Sequence, residues 1–285
     1  MTIAIAWIRR IADCEELVLA TDSRLSADGR VFDTAPKILT LERGDCAIAF
    51  AGITQDAFPM MMQLSLAIGA HAPSKRRSLD IPQLKTHALK IFTKMGSLIT
   101  SDAQVKGNPP DQAPAAEFLF GGYSWVQKRF GLWNIKYSEV EKGYVATAAR
   151  WAYFPQRVAG LRIRAMHRPR TNGLLGQIAF AGDQATLAEA LFVEILNNKR
   201  LADKKLSKID MEPFEVIVNM LRDSKRSPSI GGAPQIAKVY QYLTAVPFPV
   251  YWPTKEAGTR FLQGRPCLGY ERLDTKVFDP DHPAW

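Results

Sequence analysis

Threonine stands second in the chain, directly after Met1, and opens the apolar run Thr2-Ile3-Ala4-Ile5-Ala6-Trp7-Ile8. A threonine is small enough for an initiator methionine in front of it to be removed. Removal would leave a hydroxyl and a free α-amine on one residue. Such an amine titrates at about pH 8, so near neutrality it can take the hydroxyl proton, directly or through a water. Nucleophile and base then come from the same amino acid. Position alone is weak evidence, because many chains begin Met-Thr. The other constellations that carry hydrolytic or nucleotide chemistry are missing: there is no GxSxG, HExxH, GxxxxGK[ST] or GxGxxG. His71, His87, His167 and His282 are scattered without metal-ligand spacing, and Cys14, Cys46 and Cys267 form no CxxC. No metal or organic cofactor is expected.

The elements around Thr2 are legible from periodicity. Residues 2–8, 17–21, 31–32, 37–41 and 46–52 read as strands, with a turn signal at Asp28-Gly29. Several are apolar at both parities, the pattern of a strand covered on both faces. The period then changes to 3.6. Ala57, Phe58, Met61, Leu64 and Ile68 mark a helix over 54–68, with Thr54 and Asp56 as candidate caps and Pro59 in its first turn. A second helix is expected over 81–99, then a loop over 101–115. Strands resume at 117–120 and 130–135. Residues 137–176 read as an irregular insertion with one or two strands. A strand over 177–182 ends in glycine, Asp183 caps a helix over 184–198, another helix follows over 214–222, and a strand occupies 237–243. Strands and helices in blocks mean α+β rather than alternating βαβ.

Bulk properties narrow the function. The chain has 285 residues, 47% of them hydrophobic and 23% charged, enough apolar material for a large core without a disulfide or metal staple. No run of 18 apolar residues exists, so no ordinary membrane span is expected, and the N-terminus lacks a signal-peptide pattern. With three cysteines and no framework, a cytoplasmic setting is expected. The charge of +9 is dispersed rather than gathered into a stripe with aromatics, so nucleic-acid binding is not expected. One domain over 1–243 and a proline- and aromatic-rich arm over 244–285 describe the organisation.

Four segments raise Thr2 above coincidence. They are the leading Thr2 strand, Ala20-Thr21-Asp22-Ser23-Arg24 at the end of the second strand, Lys37 opening a later strand, and Phe50-Ala51-Gly52-Ile53-Thr54-Gln55-Asp56-Ala57-Phe58 running into a helix. Together they resemble the proteasome β-type subunits and their simpler bacterial relative, the threonine peptidase partnered by an unfoldase ATPase. Both belong to the N-terminal nucleophile (Ntn) hydrolases. The resemblance implies a four-layer αββα sandwich, two antiparallel sheets flanked by helix pairs. It implies a threonine-type peptidase or amidohydrolase acting through an acyl-enzyme. Carried over, Thr2 Oγ is the nucleophile, Lys37 lowers its pKa and that of the amine, Asp22 holds Lys37, and the Gly52 N–H meets the oxyanion. Implied partners are a peptide or amide substrate, further copies of the chain, in a ring for many such proteins, and an ATPase.

The match is good over 2–60 and loose over 117–125 and 177–243. Ala181-Gly182 resembles the family's Gly-Ser segment beside the site, but Asp183 occupies the usual serine position, which makes Asp183 a site candidate as well as a helix cap. Ser229-Ile230-Gly231-Gly232 resembles the glycine turn before the late strand and makes Ser229 a second such candidate. The family's late acidic residue has no clean equivalent; Ser227 lies nearer its place than Asp223. These departures keep a different class of function open: a non-catalytic proteasome-like subunit that scaffolds an assembly or binds a partner.

Overall fold

The computed structural model describes residues 2–27, 29–98, 116–155, 160–165, 173–202, 206–223 and 229–283. The expected loop over 101–115 and the residues Met1, Asp28 and Ser227 lie outside them. The protein is α+β, with antiparallel sheets and five helices among the described residues.

A seven-stranded sheet is built on the N-terminal hairpin of β1 (Ala4–Ile11) and β2 (Cys14–Thr21). On the β1 side come β12 (Leu174–Ala181), β10 (Arg150–Tyr153) and β11 (Arg162–Arg164). On the β2 side come β13 (Gln235–Tyr240) and β14 (Ala245–Phe248). A five-stranded sheet runs in chain order through β5 (Ile38–Thr40), β6 (Cys46–Gly52), β7 (Ala116–Ser124), β8 (Arg129–Ser138) and β9 (Gly143–Ala148). A short hairpin, β3 (Leu25–Ala27) with β4 (Arg30–Phe32), stands apart, and so does a small C-terminal sheet of β15 (Val250–Tyr251), β16 (Arg260–Leu262) and β17 (Arg265–Pro266). The helices are α1 (Thr54–Ala70), α2 (Ala72–Lys75), α3 (Ile81–Gly96), α4 (Ala185–Ala202) and α5 (Glu212–Arg222).

Strand alternation sorts the core. Ile3, Ile5 and Trp7 pack with Phe192 and Leu196 of α4 and Phe214 and Ile217 of α5. Ala4, Ala6 and Ile8, on the opposite face of β1, pack with Ala47, Ala49, Ala51 and Leu119 of the other sheet. The remaining face of that second sheet, through Ile48, Phe50, Phe118 and Phe120, covers Met60 and Leu64 of α1 and Leu84 and Phe92 of α3. Both faces of β1 and β6 are therefore buried, which is why neither strand shows a polar face in the sequence. The layer between the sheets is rich in alanine, and the sheets close up accordingly. A methyl group on Gly121 of β7 would come within 2.6 Å of Leu17 of β2. Each large side chain fully buried in these layers contributes about 2–3 kcal/mol.

Three sequence expectations change. Residues 137–176 hold three described strands, β9, β10 and β11, with the end of β8 and the start of β12, and these extend both sheets. The arm over 244–285 is not separate from the sheet at its start, because β14 pairs with β13. Helix α1 begins after Ile53 with no side-chain cap bond, so neither Thr54 nor Asp56 caps it.

Candidate active site

Pairing brings the site residues to one end of the seven-stranded sheet. Ala4 lies opposite Thr21 on one side and Ala181 on the other. Gln235 lies opposite Thr21 in turn. The residues just beyond these positions, Thr2, Asp22 and Gly182, must therefore converge. Lys37 enters from the other sheet, one residue before β5.

Lys37 Nζ donates to Asp22 Oδ1 at 2.8 Å and to Thr2 Oγ1 at 3.0 Å. The lysine and aspartate side chains are both 0% exposed. Burial pushes the Lys37 ammonium below the ordinary lysine range, and the charge and hydrogen bond of Asp22 pull it partly back. Asp22 is held from every side. Its Oδ1 also accepts the Ile3 N–H at 3.2 Å, and its Oδ2 accepts the N–H groups of Arg24 at 2.9 Å and Gly231 at 3.3 Å. Four donors around one carboxylate compensate its removal from water. Arg24 braces the turn that carries Asp22, with two bonds to Asp33 of 2.7 and 2.8 Å.

The nitrogen of Thr2 has a different neighbour. It donates to Asp183 Oδ1 at 2.5 Å. Asp183 Oδ2 accepts Ser229 Oγ at 3.2 Å and Gln184 Nε2 at 3.0 Å. The expected helix cap is thus corrected: the Asp183 carboxylate turns back on Thr2 and Ser229 rather than on the amides of α4. Ser229 is brought into the same group of side chains. Asp223 follows the last residue of α5.

Gly182 is required where it stands. Its φ is +102°, and a Cβ there would lie 2.0 Å from the Thr2 carbonyl oxygen and 3.2 Å from Ala51. Gly182 thus sits close against both Thr2 and Ala51 of β6. Gly52 closes β6 with φ +96° and pairs across to Ala116.

Three supporting residues escaped the sequence reading. Glu117 Oε2 accepts the Gly182 N–H at 2.9 Å, and Asn134 Nδ2 steadies its other oxygen at 2.7 Å. Gln235, fully buried, accepts the Lys37 N–H at 2.9 Å and donates to Ala35 O at 2.6 Å and Ser23 Oγ at 2.9 Å. The only early hint was type: Glu117 is the one charge in Ala116-Glu117-Phe118-Leu119-Phe120, and Gln235 is a polar residue just before the apolar pair Ile236-Ala237.

Among the described residues no three His, Cys, Asp or Glu side chains stand together as a metal set. No helix among them is long and apolar enough to cross a membrane. No protein-family model matches the chain, and no curated protein matches it either.

Proposed function

We propose that the chain is a threonine-type hydrolase of the N-terminal nucleophile class, acting on peptide or amide bonds. The observation that carries the reading is the sealed contact of Thr2 Oγ1, Lys37 Nζ and Asp22 Oδ1. Burying a lysine with its carboxylate costs stability, and titratable groups perturbed in this way concentrate at functional sites. The core supports the same reading. Helices α1 and α3 cover one sheet, α4 and α5 cover the other, and the two sheets face each other, from which we infer the four-layer αββα sandwich.

In this mechanism Met1 is removed and the Thr2 α-amine becomes the base. It takes the Oγ1 proton as Oγ1 bonds to the substrate carbonyl carbon. The oxyanion is met by the Gly52 N–H, a type of contact worth about 3 kcal/mol in the transition state. The amine then gives the proton to the leaving nitrogen, the C–N bond breaks, and an ester remains on Thr2. Water, deprotonated by the same amine, attacks the ester and restores Thr2. Lys37 supplies positive charge beside the developing alkoxide. Assembly with further copies in a ring, and service to an ATPase, rest on the resemblance alone.

The test is intact mass followed by labelling with a β-lactone, which acylates an activated threonine hydroxyl. The expected result is a mature chain lacking Met1, labelled on Thr2, with labelling lost in Thr2→Ala while the fold is kept. A retained Met1, or labelling that survives Thr2→Ala, would sink the proposal. Retained Met1 would instead favour the non-catalytic subunit.

A further inference from the structure

The C-terminal arm reaches the site from outside. Strands β16 and β17 are joined by Gln263 and Gly264, both with positive φ, +50° and +87°. This tight tip lies against Ser23, the residue after Asp22. A methyl group on Gly264 would stand 2.4 Å from Ser23 Oγ, 2.7 Å from Ser23 Cβ and 3.1 Å from Gln235 Nε2. No space remains between the tip and these two side chains.

Ser23 and Gln235 hold the catalytic pair in place. The Ser23 N–H donates to Gly231 O at 2.9 Å, its carbonyl accepts the Ala35 N–H at 3.1 Å, and its Oγ donates to Ala233 O at 2.5 Å. Ser23 thus ties the Asp22 turn to the segment before β13 and to the segment leading into Lys37. Gln235 bonds Ser23 Oγ and the Lys37 N–H at once. Both side chains are fully buried. At the tip itself, both polar atoms of the Gln263 amide are buried and unpartnered among the described residues. A non-glycine residue in the left-handed region with an unmet amide persists only where surrounding structure forces it.

The arm is anchored at its far end. Phe278 is buried against Phe214 and Phe248 and pairs with Val250. Arg222 of α5 donates to Asp281 at 2.7 Å and to Pro253 O at 2.8 Å.

We propose that the arm's hairpin tip is a positioning element of the Thr2 site: Gly264, seated on Ser23 and Gln235, fixes the turn of Asp22 and the approach of Lys37. The catalytic half of this statement rests on the hydrolase reading above; the mechanical half does not. Gly264 touches neither Thr2 nor substrate in this scheme and acts only through Ser23 and Gln235.

The experiment compares the full-length wild type with Gly264→Ala, using hydrogen exchange and β-lactone labelling. In Gly264→Ala the N–H groups of Ser23 and Ala35 should exchange at least about tenfold faster. The maximal labelling rate should fall about 10- to 100-fold, with little change in the probe concentration giving half-maximal rate. A folded Gly264→Ala protein with unchanged exchange at Ser23 and Ala35 would overturn the proposal. If that variant does not fold, native-state exchange of the wild type in rising denaturant decides. The arm amides of Tyr251 and Phe278 should never open ahead of Ser23 and Ala35; an arm that opens first while those two stay protected refutes the coupling. A wild type that never labels on Thr2 removes the hydrolase reading, and the exchange results still judge the arm.

Discussion

The Asp22–Lys37 pair makes an asymmetric prediction. Replacing Lys37 by Met keeps the stem and removes the ammonium. Asp22 then still has the N–H groups of Ile3, Arg24 and Gly231. Three backbone donors leave the buried carboxylate largely compensated, so the loss is that of charge-assisted bonds, about 1–3 kcal/mol. Replacing Asp22 by Asn is worse. The carboxylate receives two donors on each oxygen, Lys37 and Ile3 on Oδ1, Arg24 and Gly231 on Oδ2. Whichever way the new amide turns, its NH₂ faces two N–H donors. Each stranded donor costs about 1–3 kcal/mol, and Lys37 also loses its counter-charge. We expect Asp22→Asn to cost about 2 kcal/mol more than Lys37→Met. Urea midpoints at constant m, measured at pH 7.5 on Thr2→Ala backgrounds so that no reaction intervenes, read this directly. A Lys37→Met protein as unstable as Asp22→Asn would show that the backbone donors do not hold Asp22, and the reasoning would fail.

Two further outcomes follow from charge. Asp183 sits beside the Thr2 nitrogen, so its carboxylate favours the protonated form of a freed amine; Asp183→Asn should move the acidic limb of the labelling profile to lower pH by about one unit, and a limb that stays or rises contradicts that placement. His87 is held below its ordinary value by burial, then by the neighbouring His71 and Lys90. Below about pH 6.5 the unfolded chain therefore binds the proton first, and stability is lost as pH falls through that window. His87→Gln should shrink the difference in urea midpoint between pH 7.5 and pH 5; an unchanged difference places the effect elsewhere.

What the sequence exposed and what it hid have separate physical causes. Strands β1, β2 and β6 were legible because burial on both faces leaves unbroken apolar runs. Helices α1 and α3 were legible from a single buried stripe at 3.6 spacing. Strands β9 and β11 escaped because they border solvent: Thr147 and Ala148 are exposed, as are Arg162 and Arg164, so alternation is diluted. Thr2, Asp22 and Lys37 could be brought together through the resemblance carried by the segments around them, and their side-chain types suit the bonds they make. Glu117 and Gln235 could not. Each bonds the backbone of a segment 65 or 198 residues away, and a backbone N–H leaves no residue type to match. Asp183 was read as a cap from its place before α4; its partners come instead from strand pairing that sets Ala4 beside Ala181.

Two opposite charges flank Thr2, and their surroundings differ. Lys37 faces the hydroxyl from a site without solvent, where a charge acts almost unscreened. Asp183 faces the nitrogen from the exposed end of the sheet, where water and salt weaken it. The hydroxyl therefore feels its cation strongly and the amine feels its anion weakly, which is the ordering the proposed mechanism requires. Burial works against this by drawing Lys37 below the usual lysine range, and the charge and hydrogen bond of Asp22 oppose it. An ammonium held charged by Asp22 has no lone pair for the Oγ1 proton, which in the proposed mechanism goes to the Thr2 amine. In the proposed mechanism the Asp22 turn, and whatever secures it, therefore sets the charge that Lys37 presents to the hydroxyl. In this chain the turn is secured by Ser23, Gln235 and the tip of a C-terminal arm that has no counterpart in the resemblance over residues 2–60.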